Sequence, residues 1–122
     1  MEERIVRAFP VLPGKRQVLE ELIAAVRERA SEMKEFYHRF GVARETWHLQ
    51  EDDGSTWIIA VTELGPAAPG VLEVADRYSA SEQQFDRWFK AQVLEISGID
   101  PNQQPLGPAT EHVFDSAHLG AG

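Results

Sequence analysis

The chain has no cysteine. That excludes disulfides, thiol catalysis and thiolate metal sites, and it accords with a reducing compartment. No apolar run approaches the roughly 18–20 residues that a membrane span needs. The first residues, MEERIVRAFP, carry charges where a secretory leader would be continuously apolar, so a cytoplasmic protein is expected. Basic residues are few: 12 Lys and Arg stand against 20 Asp and Glu, for a net charge of −8. Such a surface repels phosphate backbones, and the cations are scattered, so neither nucleic acid nor a membrane is an expected partner. The histidines His38, His48, His112 and His118 make no HxH, HxxxH or HExxH pattern. Structural zinc would also usually want the missing sulfur ligands, so no metal site is expected. There is no glycine-rich phosphate loop and no GxSxG motif, and no cofactor is expected.

What remains is an ordinary globular composition. With 122 residues, 43% hydrophobic and 26% charged, residues 1–122 suit one domain with one modest core. RIVRAFPVL (4–12) is rich in β-branched and aromatic residues and stops at Pro13-Gly14, which predicts a strand. From Lys15 the apolar residues recur every three or four positions, through Leu19, Leu22, Val26, Met33, Phe36 and Phe40, up to Gly41. That spacing predicts one long amphipathic helix, with Gly14 at its start and Gly41 as its stop, about 35 Å long.

RETWHLQEDDGSTWIIAVTEL (44–64) predicts two strands about the turn Asp53-Gly54, because a type I′ turn needs positive φ at both central residues. A two-residue loop sets Arg44 opposite Glu63, Thr46 opposite Val61, His48 opposite Ile59 and Gln50 opposite Trp57. The other face then receives Trp47 with Ala60 and Leu49 with Ile58, an apolar centre suited to a helix packed on it. After the GPAAPG loop, residues 71–79 predict a short helix. A second begins at Ser81 in a capping box with Gln84, carries the core stripe Phe85, Trp88 and Phe89, and ends at Gly98. Residues 99–109, with three prolines, predict a loop, and TEHVFDS (110–116) alternates as a final strand.

The order is βαββαβ, an α+β fold: a four-stranded antiparallel sheet with both helices on one face. The helices cover only that face, whereas the other would expose Trp57, Ile59 and Val61. A second copy of the sheet is the simplest cover, so a homodimer is expected.

RAFPVLPGKRQVLEELI followed by the hairpin ETWHLQEDDGSTWIIAVTEL resembles the dimeric α/β-barrel superfamily of ferredoxin-like topology. With FDRWFKAQV after it, the hairpin looks most like the small uncharacterised members. The resemblance implies two sheets facing one another across a barrel, with ligands lying between sheet and helices. Members include antibiotic-biosynthesis-type monooxygenases, haem-degrading enzymes, chlorite dismutase relatives, muconolactone isomerases and stress-responsive barrel proteins. The cofactor-free monooxygenases use an Asn, a Trp and a His. Here the only asparagine is Asn102, in the proline-rich loop. A haem-degrading relative would need an axial histidine, and only His38 sits on a suitable element.

The candidate chemistry is then a general base from His48 or His112 and an oxyanion or carboxylate clamp from Arg7. Tyr37, His38, Trp57, Tyr78 and His112 would line the site of a small apolar or aromatic ligand. Each has a plainer reading: His48 as a hydrogen-bonded interface residue, Arg7 as the partner of an acid, Tyr37 and His38 as helix-end packing. The expected function is a dimeric barrel with a small-molecule pocket, isomerase- or monooxygenase-like. The alternatives are a non-catalytic ligand-binding or stress-related barrel and a structural dimer.

Overall fold

The computed structural model describes residues 3–120. The elements run β1 (Glu3–Val11), α1 (Arg16–Glu28), α2 (Ala30–Arg39), β2 (Val42–Asp52), β3 (Ser55–Leu64), α3 (Val71–Ala80) and α4 (Gln84–Ser97), with a short 3-10 turn at Ser116–His118. The three strands form one antiparallel sheet in the order β1-β3-β2. The result is a small α+β domain, compatible in element order and sheet order with a ferredoxin-like fold.

The hairpin has the expected register: Arg44 pairs with Glu63, Thr46 with Val61, His48 with Ile59 and Gln50 with Trp57. Asp53 (φ 49°) and Gly54 (φ 81°) form its turn, as a type I′ geometry requires. A bulge between Val42 and Arg44 shifts the far end of the ladder. Gly41 precedes it at φ 72°, and a Cβ there would meet Ala68 at 2.7 Å, so the loop after β3 closes on α2 only through a residue without a side chain.

Three expectations need correction. The single long helix is two, because Arg29 leaves the helical region (φ −95°, ψ 38°). Neither proline nor glycine is involved, and the bonds Arg29 N to Ala25 O and Met33 N to Arg29 O persist at 2.9 Å, so the axis is kinked rather than broken. The Arg29 guanidinium lies over the rings of Phe85 and Trp88 and pairs with Glu32. The capping box at Ser81 does not form. Gln83 is the N-cap of α4, and the Ser81 hydroxyl donates instead to Asp86 at 2.5 Å.

Residues 110–116, expected as a fourth strand, do not join the sheet. The Thr110 hydroxyl donates to the Val6 carbonyl at 2.6 Å, which brings the segment to the outer edge of β1. Beyond it Val113 and Phe114 are 80% and 65% exposed. The alternating side chains there have no apolar surface to pack on, and a strand without cover gains too little to offset its ordering entropy.

The core lies between the sheet and the helices, with α4 against β1 and α2 against β2. Phe36 is its hub, with ring centroids 5.1–5.8 Å from Phe40, Phe89, Tyr37, Phe85 and Tyr78. Beside this cluster is a polar knot. Asp86 is fully buried and accepts a bidentate pair from Arg39 at 2.7 and 2.9 Å. One turn further along α4, the Lys90 ammonium donates to the carbonyls of Tyr78, Ser79 and Ser81 at 2.9–3.1 Å, gathering acceptors at the C-terminal end of α3, where Tyr78 also accepts from the Ser81 N–H at 3.3 Å. Among the described residues no helix is long and apolar enough to cross a membrane.

Candidate functional site

Strand alternation and register together decide which side chains face the helices. Along β1 these are Ile5, Arg7, Phe9 and Val11. Across the sheet, Ile5 lines up with Thr62 and Glu45, and Arg7 with Ala60 and Trp47. Between this face and the helices lies a void of about 150 Å³. Leu19 and Leu22 of α1, Phe36 of α2 with Phe40 at its C-cap, Tyr78 of α3 and Phe89 and Ile96 of α4 roof it, and Pro105 and Leu106 of the proline-rich loop close one side. Drug-sized sites begin near 300 Å³, whereas a void of about 150 Å³ lined by apolar groups holds a benzene-sized guest.

Two charged groups reach this apolar space. Glu45 accepts hydrogen bonds from the Tyr37 hydroxyl at 2.7 Å, the Trp47 indole N–H at 2.8 Å and the Thr62 hydroxyl at 2.5 Å. Its carboxylate is thereby fixed, with three donors converging on two oxygens. Burial, reinforced by the Glu45 charge, pushes the Tyr37 phenol far above its ordinary pKa, and burial does the same at Tyr78. Neither tyrosine is an acid or base near neutral pH. Arg7 is the opposite case. Its Nη1 donates only to the neighbouring Val6 carbonyl at 3.1 Å, and its Nε is buried with no partner. It makes no ion pair among the described residues, and burial draws its pKa below the ordinary value.

The candidate residues thus divide. Arg7, Tyr37 and Tyr78 come together around the void. His48 lies on the opposite face of the sheet, opposite Ile59, exposed, with its Nε2 3.0 Å from the Thr46 hydroxyl. Trp57 shares that face and borders a second hollow at the hairpin tip, between Pro10–Gly14 and Gly54–Thr56. Leu12, Pro13, Gly14, Gly54 and Ser55 around that hollow are all exposed, so it is an open surface dip and not an enclosed site. His38 is exposed on α2 and does not line the void. His112 is exposed, with Nε2 3.1 Å from the Phe114 carbonyl. No group of three or more His, Asp or Glu among the described residues is placed to hold a metal.

Glu45, Thr62 and the indole N–H of Trp47 were not among the residues expected at the site. The signal was present in the hairpin register, which places Glu45 opposite Thr62 one pair beyond the apolar centre, on the helix-covered face. A carboxylate on that face needs hydrogen-bond donors around it.

Comparisons with protein-family models, with curated proteins and with solved structures give no match for this chain.

Proposed function

We propose that this protein binds a small apolar or aromatic molecule in the void between sheet and helices, and that it works as a homodimer closed through the open sheet face in the manner of a dimeric α/β barrel. One observation carries the first part. A benzene-sized apolar void sits beside Arg7, which has no ion pair among the described residues, and beside an ordered Glu45–Tyr37–Trp47–Thr62 network. Binding is favoured over catalysis because the groups around the void are either saturated, as Glu45 is, or far from neutral in pKa, as Tyr37 and Tyr78 are. His48, the base that an isomerase- or monooxygenase-like reaction would draw on, is on the other side of the sheet.

The test uses toluene as probe. In an amide-resolved NMR titration its shifts are expected at residues of β1, β3, α2 and α4 around the void. The variant Ala60→Leu, whose added methylenes occupy the void, should lose at least about tenfold in affinity, since each buried CH₂ displaced or misplaced is worth about 0.8 kcal/mol. Shifts confined to the exposed face, or none, would remove the pocket from consideration. Native mass spectrometry of freshly purified protein adds the mass of any ligand that travels with it.

The dimer has its own support. Val6 and Trp57 are 36% and 39% exposed, and with half-buried Ile59 and Val61 they make an apolar strip across the face that the helices leave bare. Contiguous apolar strips of this kind mark association surfaces. Ile59→Glu is expected to give monomer, because an unpaired carboxylate in the closed interface costs several kcal/mol. Sedimentation of the wild type as a monomer at micromolar concentration would refute the barrel.

A further inference from the structure

We infer that the void takes a monoanionic ligand, a one-ring or comparably small organic carboxylate whose acid group pairs with the Arg7 guanidinium while its apolar body fills the space beyond. This inference rests on the binding reading above and adds the chemical class of the ligand.

Its basis is an imbalance of charge. The chain has 20 acidic residues and 12 Lys and Arg, so an arginine near a carboxylate is the ordinary state. Arg4 pairs with Glu63, Arg29 with Glu32, Arg39 with Asp86 and Arg77 with Glu73. Arg27, Arg44 and Arg87 have no such partner among the described residues either, but they are exposed to water; Arg7 lacks one while half-buried in the wall of the void, with its Nε cut off from water. A guanidinium presents its donors as a planar fork that fits the two oxygens of a carboxylate; with Nε closed to anything the size of water, the end open to an incoming oxygen is Nη2, which makes no hydrogen bond among the described residues.

Position selects the orientation. Arg7 stands on the edge strand β1, and Glu45 stands two strands away and one pair along, on β2. A ligand anion is attracted to the first and repelled by the second, so the acid group sits at the β1 side and the hydrocarbon runs towards Phe36 and Phe89. Size and number set the class. Among the described residues Arg7 is the one cationic side chain lining the void, and about 150 Å³ admits a single ring. A multiply charged phosphate ester would need more donors and more room.

The experiment titrates the full chain with three probes of one shape: benzoate, its neutral isostere benzamide, and toluene. Wild type should bind benzoate at least about tenfold more tightly than benzamide, the range expected of a charge-assisted bidentate contact. In Arg7→Gln that ratio should fall to about one, and Arg7→Lys should keep part of it. Equal affinity for benzoate and benzamide in wild type overturns the inference, as does a benzoate preference that survives in Arg7→Gln. Toluene separates the two ideas. Toluene bound in the void with no preference for benzoate removes the anion and leaves the pocket, whereas no binding by any of the three removes both.

Discussion

Asp86→Ala is expected to cost about 3–5 kcal/mol of folding stability, read as a lower midpoint in urea with an unchanged slope. The carboxylate is fully buried and accepts from both Arg39 nitrogens and from Ser81, with the Lys90 ammonium one turn away. Truncation takes from Arg39 its bidentate partner, leaving it only the exposed Glu35 at 3.7 Å, and removes the negative charge that offsets the Lys90 ammonium; breaking a buried pair from one side is what makes such changes costly. Acid should expose the same linkage. Burial alone would raise the Asp86 pKa, but hydrogen bonds from Arg39 and Ser81 and the charges of Arg39 and Lys90 outweigh it and hold the group below its ordinary value. A carboxyl depressed in the folded state stabilises fully above its unfolded pKa of about 4 and loses that contribution as the pH falls through its folded value. Wild type should therefore lose stability below about pH 4. Asp86→Asn, with no charge to lose there, should show a flatter acid limb from a lower starting point.

Phe36→Ala is expected to cost a comparable 3–5 kcal/mol or so, and to lower the melting temperature by more than about 10 °C. Phe36 touches five aromatic rings and also lines the void, so its removal both forfeits edge-to-face contacts and enlarges a space that cannot collapse onto the pinned Glu45 network. Phe114→Ala is the control. That ring is 65% exposed, and its loss should stay within about 0.5 kcal/mol. Equal losses at the two positions would mean that the core is not centred on Phe36.

The hairpin was legible in the sequence because its information is local. Asp53-Gly54 sets the turn, the turn sets the register, and the register decides which face His48 occupies. The long-range partners were not. Nothing adjacent to Asp86 in sequence points to Arg39, 47 positions away, and Ser81 read as a helix cap because its hydroxyl has two competing uses. Nothing local in sequence marks the departure at Arg29, and the rings of α4 that its guanidinium covers come near it only after folding. TEHVFDS alternates as a half-buried strand would, but alternation states what a segment could bury and not whether a surface is there to receive it. At the site, sequence reasoning reached Arg7, Tyr37 and Tyr78 by residue type. It passed over Glu45, since a strand glutamate ordinarily faces water.

The margins of the sheet bear on how copies of this protein can meet. Along β1 the Val6 carbonyl is occupied by the Thr110 hydroxyl and the Arg7 guanidinium, and Pro10 has no N–H to offer. Along β2 the bulge between Val42 and Arg44 interrupts the even spacing that an incoming strand would need. Both margins are thus poor templates for strand-by-strand extension. Open-ended growth through either margin, the route to fibrils, is thereby disfavoured.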